Sequence, residues 1–414
     1  MPAMAASGSK IWDAVVVGAG PAGCAAARLL AEAGLSTVLI EKEPLPRYKT
    51  CGGGLIARAL AELPETTMQA VERVCHTATM QVVGSRRGYR AERPAPVVSM
   101  VMRERLDALL AEAAVRAGAE LRDGTAVTHL NEDANGVTLH TGHGSLRARL
   151  LVAADGVNGP CARAAGWPRY HPAPAVEWEV ETDSFTMDRL DGTARFDLWA
   201  VPGGYGWVFP KKTHLSVGMV AMQPRPRNPA IDLNGATSRY LQGLGISFHS
   251  AARHGHRIPI IPRSGPPAKG RVFLTGDALG LADAVTAEGI SSALISGRLA
   301  AEAIVAMAAE PQTAAGHYAR RLALEVFPDL AVTRLLGNVV YRRPWLVRAV
   351  LDCFSEPLGK RLTDVITGQR RYRDLGNRLR PFWHRLARIT GGGDQLPPVT
   401  HSMASKASPS RESN

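Results

Sequence analysis

The order of apolar and polar residues predicts alternating strands and helices from the start of the chain. Residues 13–17 (DAVVV) form a short apolar run that ends at a glycine-rich segment, residues 18–23 (GAGPAG). Apolar residues at helical spacing follow over 24–33, and a second apolar run, residues 37–40, ends on Glu41. This pattern predicts a strand, a tight turn, a helix and a second strand.

Later segments continue this alternation. Residues 103–117 have apolar positions at helical spacing, and residues 175–220 hold short β-like runs broken by glycine and proline. Two buried-type strands are predicted at 150–153, followed by Asp155-Gly156, and at 271–274, followed by Gly276-Asp277. A helix rich in small residues is expected over about 287–309. We therefore expect an α/β fold with an inserted mixed sheet and a helical C-terminal part.

Length and composition are those of a globular protein with a sizeable core. The chain has 414 residues, 45% hydrophobic and 21% charged, so either two joined domains or one large α/β unit with an inserted sheet is expected. No window approaches about 18 uninterrupted apolar residues, so we expect no membrane-spanning helix. The N-terminus lacks the apolar core of a secretory signal and is expected to be a disordered leader. Five scattered cysteines without metal-ligand spacing predict no metal site and a reducing, cytoplasmic location.

Positive charge is concentrated near the C-terminus. The formal net charge is +12, and residues 341–389 contain twelve Arg or Lys against four Asp or Glu. Basic segments attract nucleic acids, anionic membranes or acidic ligands. No nucleic-acid motif accompanies this one, so no nucleic-acid partner is expected. Trp345 and other aromatic residues lie among the arginines, a composition shared by peripheral membrane-surface helices and by ordinary arginine-rich surface helices.

The glycine-rich turn has the context of a dinucleotide site. Gly18, Gly20 and Gly23, with Ala22 among them, allow a tight turn and a close approach of the backbone to a pyrophosphate. Glu41, about twenty residues on, is placed to accept hydrogen bonds from a ribose hydroxyl, and an acid there disfavours a 2′-phosphate. The alternative is a glycine turn that binds nothing. The sequence predicts FAD or NAD rather than NADP.

Two later motifs distinguish these cofactors. Asp155, followed by a glycine, comes after one strand, and Gly276-Asp277 comes after another and precedes a helix that starts near Gly289 and Ile290. In this combination the sequence resembles the p-hydroxybenzoate hydroxylase-like group of flavoproteins. The resemblance implies FAD, with the helix N-terminus pointing toward the flavin ring. Because no second complete glycine-rich unit is present, NAD(P)H is expected to visit transiently, or another external donor reduces the flavin.

The segment RYKTCGGGL (residues 47–55) narrows the resemblance. It is similar to the Cys-Gly loop that borders the flavin in the geranylgeranyl reductase family, and residues 204–212 (GYGWVFPKK) are similar to that family's Tyr-x-Trp-x-Phe-Pro segment. The likeness runs from about residue 12 to residue 305. It implies FAD contacts at Gly18, Gly20, Ala22, Gly23, Glu41, Cys51, Gly52, Gly54, Arg103, Val127, Asp155, Gly276, Asp277, Gly289 and Ile290.

Cys51 has two interpretations. A thiol beside the flavin can donate a proton, which makes Cys51 the candidate catalytic residue. It can equally be a small, polarisable residue that packs in a crowded loop and shapes the site. Tyr205 and Trp207 alternate on an expected strand, so both should project to one face, either toward a substrate or into ordinary sheet packing.

The domain organisation follows from these motifs. Residues 10–80, 97–165 and 255–310 are expected to form a discontinuous, Rossmann-like FAD-binding domain. Residues 81–96 and 166–254 are expected to form the inserted mixed-sheet substrate domain. A basic helical region over 311–390 and a disordered tail over 391–414 complete the prediction.

The resemblance also implies a reaction. It is the saturation of C=C bonds in a geranylgeranyl (isoprenoid) chain by hydride transfer from reduced flavin, on a prenylated small molecule or lipid. Where residues 51–56 read CGGGLI, the pigment branch of the family often reads Cys-Gly-Gly-Ala-Ile-Pro, which argues against a pigment substrate. The alternatives are an FAD-dependent monooxygenase or halogenase on the same fold, and a flavoprotein electron carrier to a quinone.

Overall fold

Strands and helices alternate along the first part of the computed structural model, which describes residues 10–85, 88–223, 231–306 and 310–374. The strands are β1 (Ile11–Val17), β2 (Thr37–Ile40), β3 (Gly54–Leu55), β4 (Val71–Cys75), β5 (Thr77–Val82), β6 (Gly88–Glu92), β7 (Val98–Val101), β8 (Glu120–Arg122), β9 (Val127–Asp133), β10 (Gly136–Thr141), β11 (Gly144–Ala153), β12 (Ala173–Glu181), β13 (Thr193–Leu198), β14 (Tyr205–Pro210), β15 (Leu215–Val220), β16 (Ser250–Ile258), β17 (Ala268–Lys269) and β18 (Val272–Leu274). The helices are α1 (Pro21–Glu32), α2 (Ala57–Leu60), α3 (Arg103–Arg116), α4 (Cys161–Ala164), α5 (Ser184–Leu190), α6 (Leu233–Gly243), α7 (Gly276–Leu279), α8 (Ile290–Ala306), α9 (Pro311–Glu325), α10 (Phe327–Arg342) and α11 (Pro344–Ile366), with a 3₁₀ turn at Glu65–Ala70.

The first sheet has the order β17-β18-β11-β1-β2-β8, and the hairpin β9–β10 joins it at β11. Strand β1 pairs in parallel with both β2 and β11, and β11 pairs in parallel with β18. Strand β2 is wholly buried and β1 nearly so, which explains their continuous apolar sequences, since parallel strands are covered on both faces. Helix α1 connects β1 to β2 and packs against α3 and α8. This sheet is the predicted Rossmann-like core.

The second sheet has the order β16-β12-β15-β14-β13-β5-β6 and is mixed, because β13 and β5 pair in parallel while the other neighbours are antiparallel. Every residue of β14 and β15 is buried. One face of β14 places Val208 in a cluster with Trp178 and with Leu241 of α6. The opposite face carries Tyr205 in a cluster that includes the C-terminal helices. The sheet is therefore covered on both sides.

The sequence predictions match the elements closely, with local differences. The first strand, α1 and β2 lie where expected, and α3 ends one residue before the predicted end at 117. Helix α8 begins at Ile290 rather than 287, because Ala287 has a positive φ of 58° that is incompatible with a right-handed helix.

The predicted domain limits at 80 and 255 fall inside β5 and β16, which are both strands of the second sheet. The described part of the basic region, through residue 374, is helical. The predicted leader, apart from residue 10, and the tail and residues 375–390 lie outside the described residues.

Candidate cofactor and substrate site

The glycine turn after β1 is shaped by close backbone packing. Gly18 has φ +104°, and a Cβ there would lie 2.3 Å from the carbonyl oxygen of Ala154 at the end of β11. A Cβ on Gly23 would lie 1.8 Å from the carbonyl oxygen of Gly18. At Gly20, in contrast, the nearest atom to a Cβ would be an Arg103 nitrogen at 3.8 Å. The turn is therefore tight on one side and open on the other, as a pyrophosphate at the N-terminus of α1 requires.

Glu41, at the end of β2, is buried and held at one edge of this opening. Its Oε2 accepts hydrogen bonds from the Ala19 amide at 2.8 Å and from Arg47 at 3.3 Å. Arg47 also donates to Asp107 at 2.9 Å, and Asp107 receives two further hydrogen bonds from Arg103 at 2.8 Å. Burial lowers the pKa of Arg103, but the charge and hydrogen bonds of Asp107, together with the interaction with Cys51, raise it overall, so the guanidinium stays charged.

Asp155 carries an acceptor that the protein does not use. Its Oδ2 accepts the Cys161 amide at 2.8 Å, whereas its buried Oδ1 has no hydrogen-bond partner among the described residues. Burial raises the pKa of this carboxyl. The neighbouring Gly156 has φ +76° with no atom within 4 Å of a Cβ position, so the chain is open there. An orphaned acceptor beside open space fits a ligand that donates a hydrogen bond, such as a ribose or ribityl hydroxyl.

One cavity of about 760 Å³ joins these elements to the second sheet. Most of the residues expected to contact FAD, and both expected substrate residues, line it: Gly18, Gly20, Ala22, Glu41, Cys51, Gly52, Gly54, Arg103, Val127, Asp155, Tyr205, Trp207, Asp277, Gly289 and Ile290. Gly23 and Gly276 do not line it; they allow α1, the turn and α8 to pack closely, since a Cβ on Gly276 would lie 3.1 Å from the Ala22 Cβ. The contacts themselves remain predictions.

The glycines after Cys51 are required by the protein itself. A Cβ on Gly52 would lie 3.0 Å from the Phe209 ring, and one on Gly54 would lie 2.9 Å from Val98. Gly53 has φ +64°, and a Cβ there would lie 2.1 Å from the Val101 carbonyl oxygen. The loop therefore lacks side chains at residues 52–54 because it packs closely between β7 and the second sheet. This holds whether or not the loop also borders a flavin ring.

An aromatic wall forms the far side of the cavity. Tyr205, Trp207 and Phe209 project to one face of β14, as their alternation predicts, and Phe196 of β13 joins them. Ring centroids lie 6.0 Å apart for Tyr205 and Trp207 and 5.1 Å apart for Phe196 and Phe209. These spacings are those of packed aromatic pairs.

Sequence analysis did not identify several residues that line the cavity. His256 lines the cavity, and its Nε2 lies 2.8 Å from the Lys49 ammonium. Burial, then the charges of Lys49 and Arg103, lower the pKa of His256 to about 3, so the ring is neutral and accepts from Lys49. The alternation His254, His256, Ile258 on an edge strand was the available signal. Nothing local marked Glu177, which also lines the cavity from β12.

Comparison with known proteins places this site in a family. Residues 12–203 match the FAD binding domain family. A chloroplastic geranylgeranyl diphosphate reductase from Oryza sativa is 32% identical over 376 residues, covering 84% of this chain and 79% of the relative. The chain belongs to the geranylgeranyl reductase family of FAD-dependent oxidoreductases. The residues that line the nucleotide end of the cavity fit FAD, its cofactor.

Other members of the geranylgeranyl reductase family differ in what their names say they act on. A digeranylgeranylglycerophospholipid reductase from Methanopyrus kandleri is 30% identical, covering 75% of this chain and 84% of the relative. A menaquinone reductase from Mycolicibacterium smegmatis is 31% identical, covering 74% and 81%.

Among solved structures, a geranylgeranyl bacteriochlorophyll reductase-like protein from Thermoplasma acidophilum has a TM-score of 0.68 at 21% identity, covering 93% of this chain and all of that one. A flavin-dependent brominase has a TM-score of 0.70 at 19% identity, covering 91% of this chain and all of the brominase. At these identities, the two likenesses show only that this chain has the same fold as the two solved structures.

Among the helices that the structure describes, none is both long and apolar enough to cross a membrane. No group of three or more His, Cys, Asp or Glu side chains suited to a metal ion is found within the described ranges.

Proposed function

We propose that this enzyme saturates C=C bonds of a geranylgeranyl-type prenyl chain. The observation that carries the proposal is the continuity of one cavity, which runs from the glycine turn to an aromatic wall. Bound FAD, once reduced, supplies the hydride. An isolated alkene has no electronegative group to which the protein could hydrogen-bond. The protein must therefore contribute orientation and exclusion of water in an apolar cavity.

The polar atoms of Tyr205 and Trp207 in the wall have hydrogen-bond partners within the protein. The Tyr205 hydroxyl donates to the Thr286 carbonyl, and the Trp207 indole N–H donates to Ser216 Oγ at 3.2 Å. Burial raises the pKa of Tyr205, so its hydroxyl stays protonated. With these groups satisfied by the protein, ring faces and edges remain to contact a ligand, which suits a hydrocarbon chain.

A second, smaller cavity of about 80 Å³ extends the apolar space between the second sheet and α11. It shares part of its lining with the main cavity: Phe196, Tyr205, Thr286, Ile366 and Tyr372. Helix α11 approaches the sheet closely here because Gly359 faces the Tyr89 ring, where a Cβ would lie 2.2 Å away. We assign the distal part of a prenyl chain to this extension.

Cys51 is the candidate source of the proton for the second alkene carbon. It is half-buried, lines the cavity, and its sulfur accepts the Gly53 amide at 3.4 Å. If the thiol donates this proton, Cys51→Ala should lower turnover at least about a hundredfold, the low end of general acid catalysis. If it only shapes the loop, Cys51→Ala and Cys51→Ser should both keep turnover within about tenfold of the wild type.

The carrier of the prenyl chain is the open part of the proposal. The names of the relatives give a diphosphate, a glycerophospholipid and a quinone. All three are prenylated molecules, which supports a prenyl chain as the shared element, and the assay should offer each of them. The electron donor is proposed to be NAD(P)H or another external reductant that does not stay bound.

The test is anaerobic. The purified protein is loaded with FAD, reduced with dithionite, mixed with geranylgeranyl diphosphate, a digeranylgeranyl glycerophospholipid or menaquinone, and the products are followed by mass spectrometry. A gain of two mass units per double bond, with the flavin reoxidised in step, is expected. A flavin that stays reduced with every prenylated substrate would overturn the proposal.

The same experiment distinguishes the alternatives. A monooxygenase or halogenase keeps its flavin reduced until air is admitted, and only then does the substrate gain oxygen or halogen. The brominase resembles this chain in fold alone, and the segment here is Tyr205-Gly-Trp207-Val-Phe-Pro210 rather than the Trp-x-Trp-x-Ile-Pro expected of a halogenase. An electron carrier to a quinone would reduce the quinone ring and leave the side chain unsaturated.

We also propose contact with an anionic membrane surface. Trp345 is 66% exposed at the start of α11, among the exposed Arg342, Arg343 and Arg348, and the neighbouring Val83 is 44% exposed. An aromatic side chain among arginines is typical of interfacial helices. The other aromatic residues of the basic segment beyond residue 374, Phe382 and Trp383, lie outside the described part of the chain.

Vesicle sedimentation tests this contact. Binding to vesicles of phosphatidylglycerol, but not of phosphatidylcholine alone, is expected, and Trp345→Ala should weaken it several-fold. Phe185→Ala is the control, since Phe185 is 75% exposed on α5. Equal sedimentation of the wild type and Trp345→Ala with anionic vesicles would contradict the assignment of this surface.

A further inference from the structure

Two buried charges approach the Cys-Gly loop from the second sheet. Glu177 on β12 is 2% exposed, and Lys211, directly after β14, is 1% exposed. Burying a charged group is costly unless hydrogen bonds and opposite charge compensate. Both groups find that compensation in the same loop, which makes their contacts informative.

Lys211 joins the loop to β7. Its Nζ donates to the Gly52 carbonyl at 2.6 Å and to the Val101 carbonyl at 2.8 Å. The Val101 amide in turn donates to the Gly53 carbonyl at 2.9 Å. Burial lowers the pKa of Lys211, and the charge of Glu177 opposes that change. The ammonium therefore holds the Gly52 carbonyl of the loop beside β7, and the Val101 amide holds the next carbonyl of the loop, that of Gly53.

Glu177 joins the loop to the aromatic wall. Its Oε2 accepts the Cys51 amide at 2.7 Å, and its Oε1 accepts the Ser216 hydroxyl at 2.5 Å. Ser216 Oγ also accepts the Trp207 indole N–H at 3.2 Å. One carboxylate thus determines both where the Cys51 backbone lies and, through Ser216, how the Trp207 ring is held.

Steric contacts leave the loop little room to shift. A Cβ on Gly53 would lie 2.6 Å from the Lys211 Nζ, and one on Gly52 would lie 3.2 Å from the Trp207 Nε1. The loop is therefore in direct contact with both the ammonium and the wall. Loss of either charged group would remove hydrogen bonds that hold the loop against β7 and the second sheet.

We propose that Glu177 and Lys211 are positioning residues, which fix the distance and orientation between the Cys51 loop and the Trp207 wall. They act through Cys51 and Trp207 rather than on the reacting atoms. The consequence for turnover rests on the proposed function, because these two surfaces are the ones assigned to flavin and prenyl chain. The geometric consequence does not depend on it.

The first test measures the loop without any substrate. In the FAD-loaded enzyme, alkylation of Cys51 by iodoacetamide is timed by peptide mass spectrometry, alongside the flavin absorption spectrum. Glu177→Leu and Lys211→Met should alkylate at least about tenfold faster and shift the spectrum, since each loses a hydrogen bond to a charged group. Glu177→Gln, whose amide oxygen still accepts the Cys51 N–H, should stay within about threefold of the wild type.

A matched control is available on a neighbouring strand. Asp197 of β13 is also 2% exposed, is paired with Arg195 at 2.6 Å and Tyr240, and does not line the cavity. Asp197→Leu should lower the thermal unfolding temperature without raising the alkylation rate. If Glu177→Leu does not fold, Lys211→Met against Asp197→Leu decides the test.

Ser216→Ala separates the two hydrogen bonds of the Glu177 carboxylate, one to the Cys51 amide and one to the Ser216 hydroxyl. It removes the acceptor of the Trp207 indole while the carboxylate still accepts the Cys51 amide. We expect unchanged Cys51 alkylation and a KM for the prenyl substrate raised about threefold or more, with kcat changed less. An equal change in kcat and alkylation for this variant would contradict the division of roles.

Failure of this inference is distinguishable from failure of the proposed function. If Glu177→Leu and Lys211→Met leave both the alkylation rate and the flavin spectrum unchanged, the inference is overturned even when the wild type reduces a prenyl chain. If both measurements change as expected but no prenylated substrate is reduced, the positioning role stands and the reaction must be reassigned.

Discussion

At the glycine turn after β1 the protein packs backbone against backbone, whereas at the substrate end the wall of the cavity is made of aromatic side chains. Gly18 and Gly23 bring peptide groups within contact of each other, and a single added methyl at either position would collide with a carbonyl oxygen. The substrate end is formed by the side chains of Tyr205, Trp207 and Phe209. A pyrophosphate is recognised by amide groups at fixed positions, but a hydrocarbon only by shape and apolar area. The two ends should therefore respond differently to mutation.

The largest expected effect is at the turn. Gly18→Ala places a Cβ 2.3 Å from the Ala154 carbonyl oxygen at φ +104°, so FAD binding should be lost. Gly34→Ala is the control, because Gly34 also has a positive φ of 81° but no atom within 4 Å of a Cβ position. It should cost about 1 kcal/mol of stability and retain FAD. Flavin content after gel filtration and thermal unfolding measure both; retained flavin in Gly18→Ala would refute this account of the turn.

The next effect compares two tryptophans on the second sheet. Trp207 faces the cavity, while Trp178 is buried with α6 on the opposite face and donates to Asn234 at 3.0 Å. Trp178→Leu should lower the free energy of unfolding by about 2–4 kcal/mol with little change in KM. Trp207→Leu should mainly raise the KM of the prenyl substrate, about tenfold, because an apolar contact surface is removed from the cavity. The same KM change in both variants would mean that the wall is ordinary sheet packing.

A smaller effect concerns pH. The pKa of His256 is lowered to about 3 by burial and by Lys49, below its ordinary value of 6.5. The unfolded chain therefore binds a proton that the folded chain does not, and stability falls as pH drops from about 6.5 toward 3, by at most about 1.4 kcal/mol per pH unit. His256→Gln should flatten this part of the curve measured by urea unfolding. Identical slopes for the two proteins would show that folding does not lower the pKa of His256.

The smallest expected effect is at the loop before α8. Ala287 has φ +58°, a conformation that favours glycine, so Ala287→Gly should raise the free energy of unfolding by up to about 1 kcal/mol. Ala108→Gly, in the interior of α3, should lower it by about the same amount. Thermal unfolding of both variants checks the opposite signs. Destabilisation in both would mean that other contacts of the Ala287 methyl outweigh the backbone strain.

Local sequence was sufficient for the nucleotide end because that end is made by consecutive residues. The strand β1, the turn and α1 follow one another, and Glu41 lies at the end of the next strand. Short-range periodicity and glycine spacing report such units directly. The predicted contacts at Gly23 and Gly276 illustrate the limit, since a glycine required for packing and one required for a ligand look alike in sequence.

The substrate end could be predicted only in part, because its residues come from distant segments of the chain. Tyr205 and Trp207 were found because they alternate on one strand, but Glu177, Lys49 and His256 reach the cavity from other segments of the chain. A buried charge carries no sequence signal of its own, since the same residue on the surface reads identically. Only long-range pairing of β12, β14 and β15 brings Glu177 to the amide of Cys51, across 126 positions of sequence.

The sequence alone therefore determined the α/β class, the cofactor and the family, since each depends on short motifs in a fixed order. Tertiary structure decided which side chains share the cavity, why Gly52, Gly53 and Gly54 must be bare, and how Glu177 and Lys211 hold their loop. The physical reason is one of range. Backbone conformation and hydrogen-bonding pattern are set within a few residues, whereas burial, crowding and pKa are properties of groups that only folding brings together.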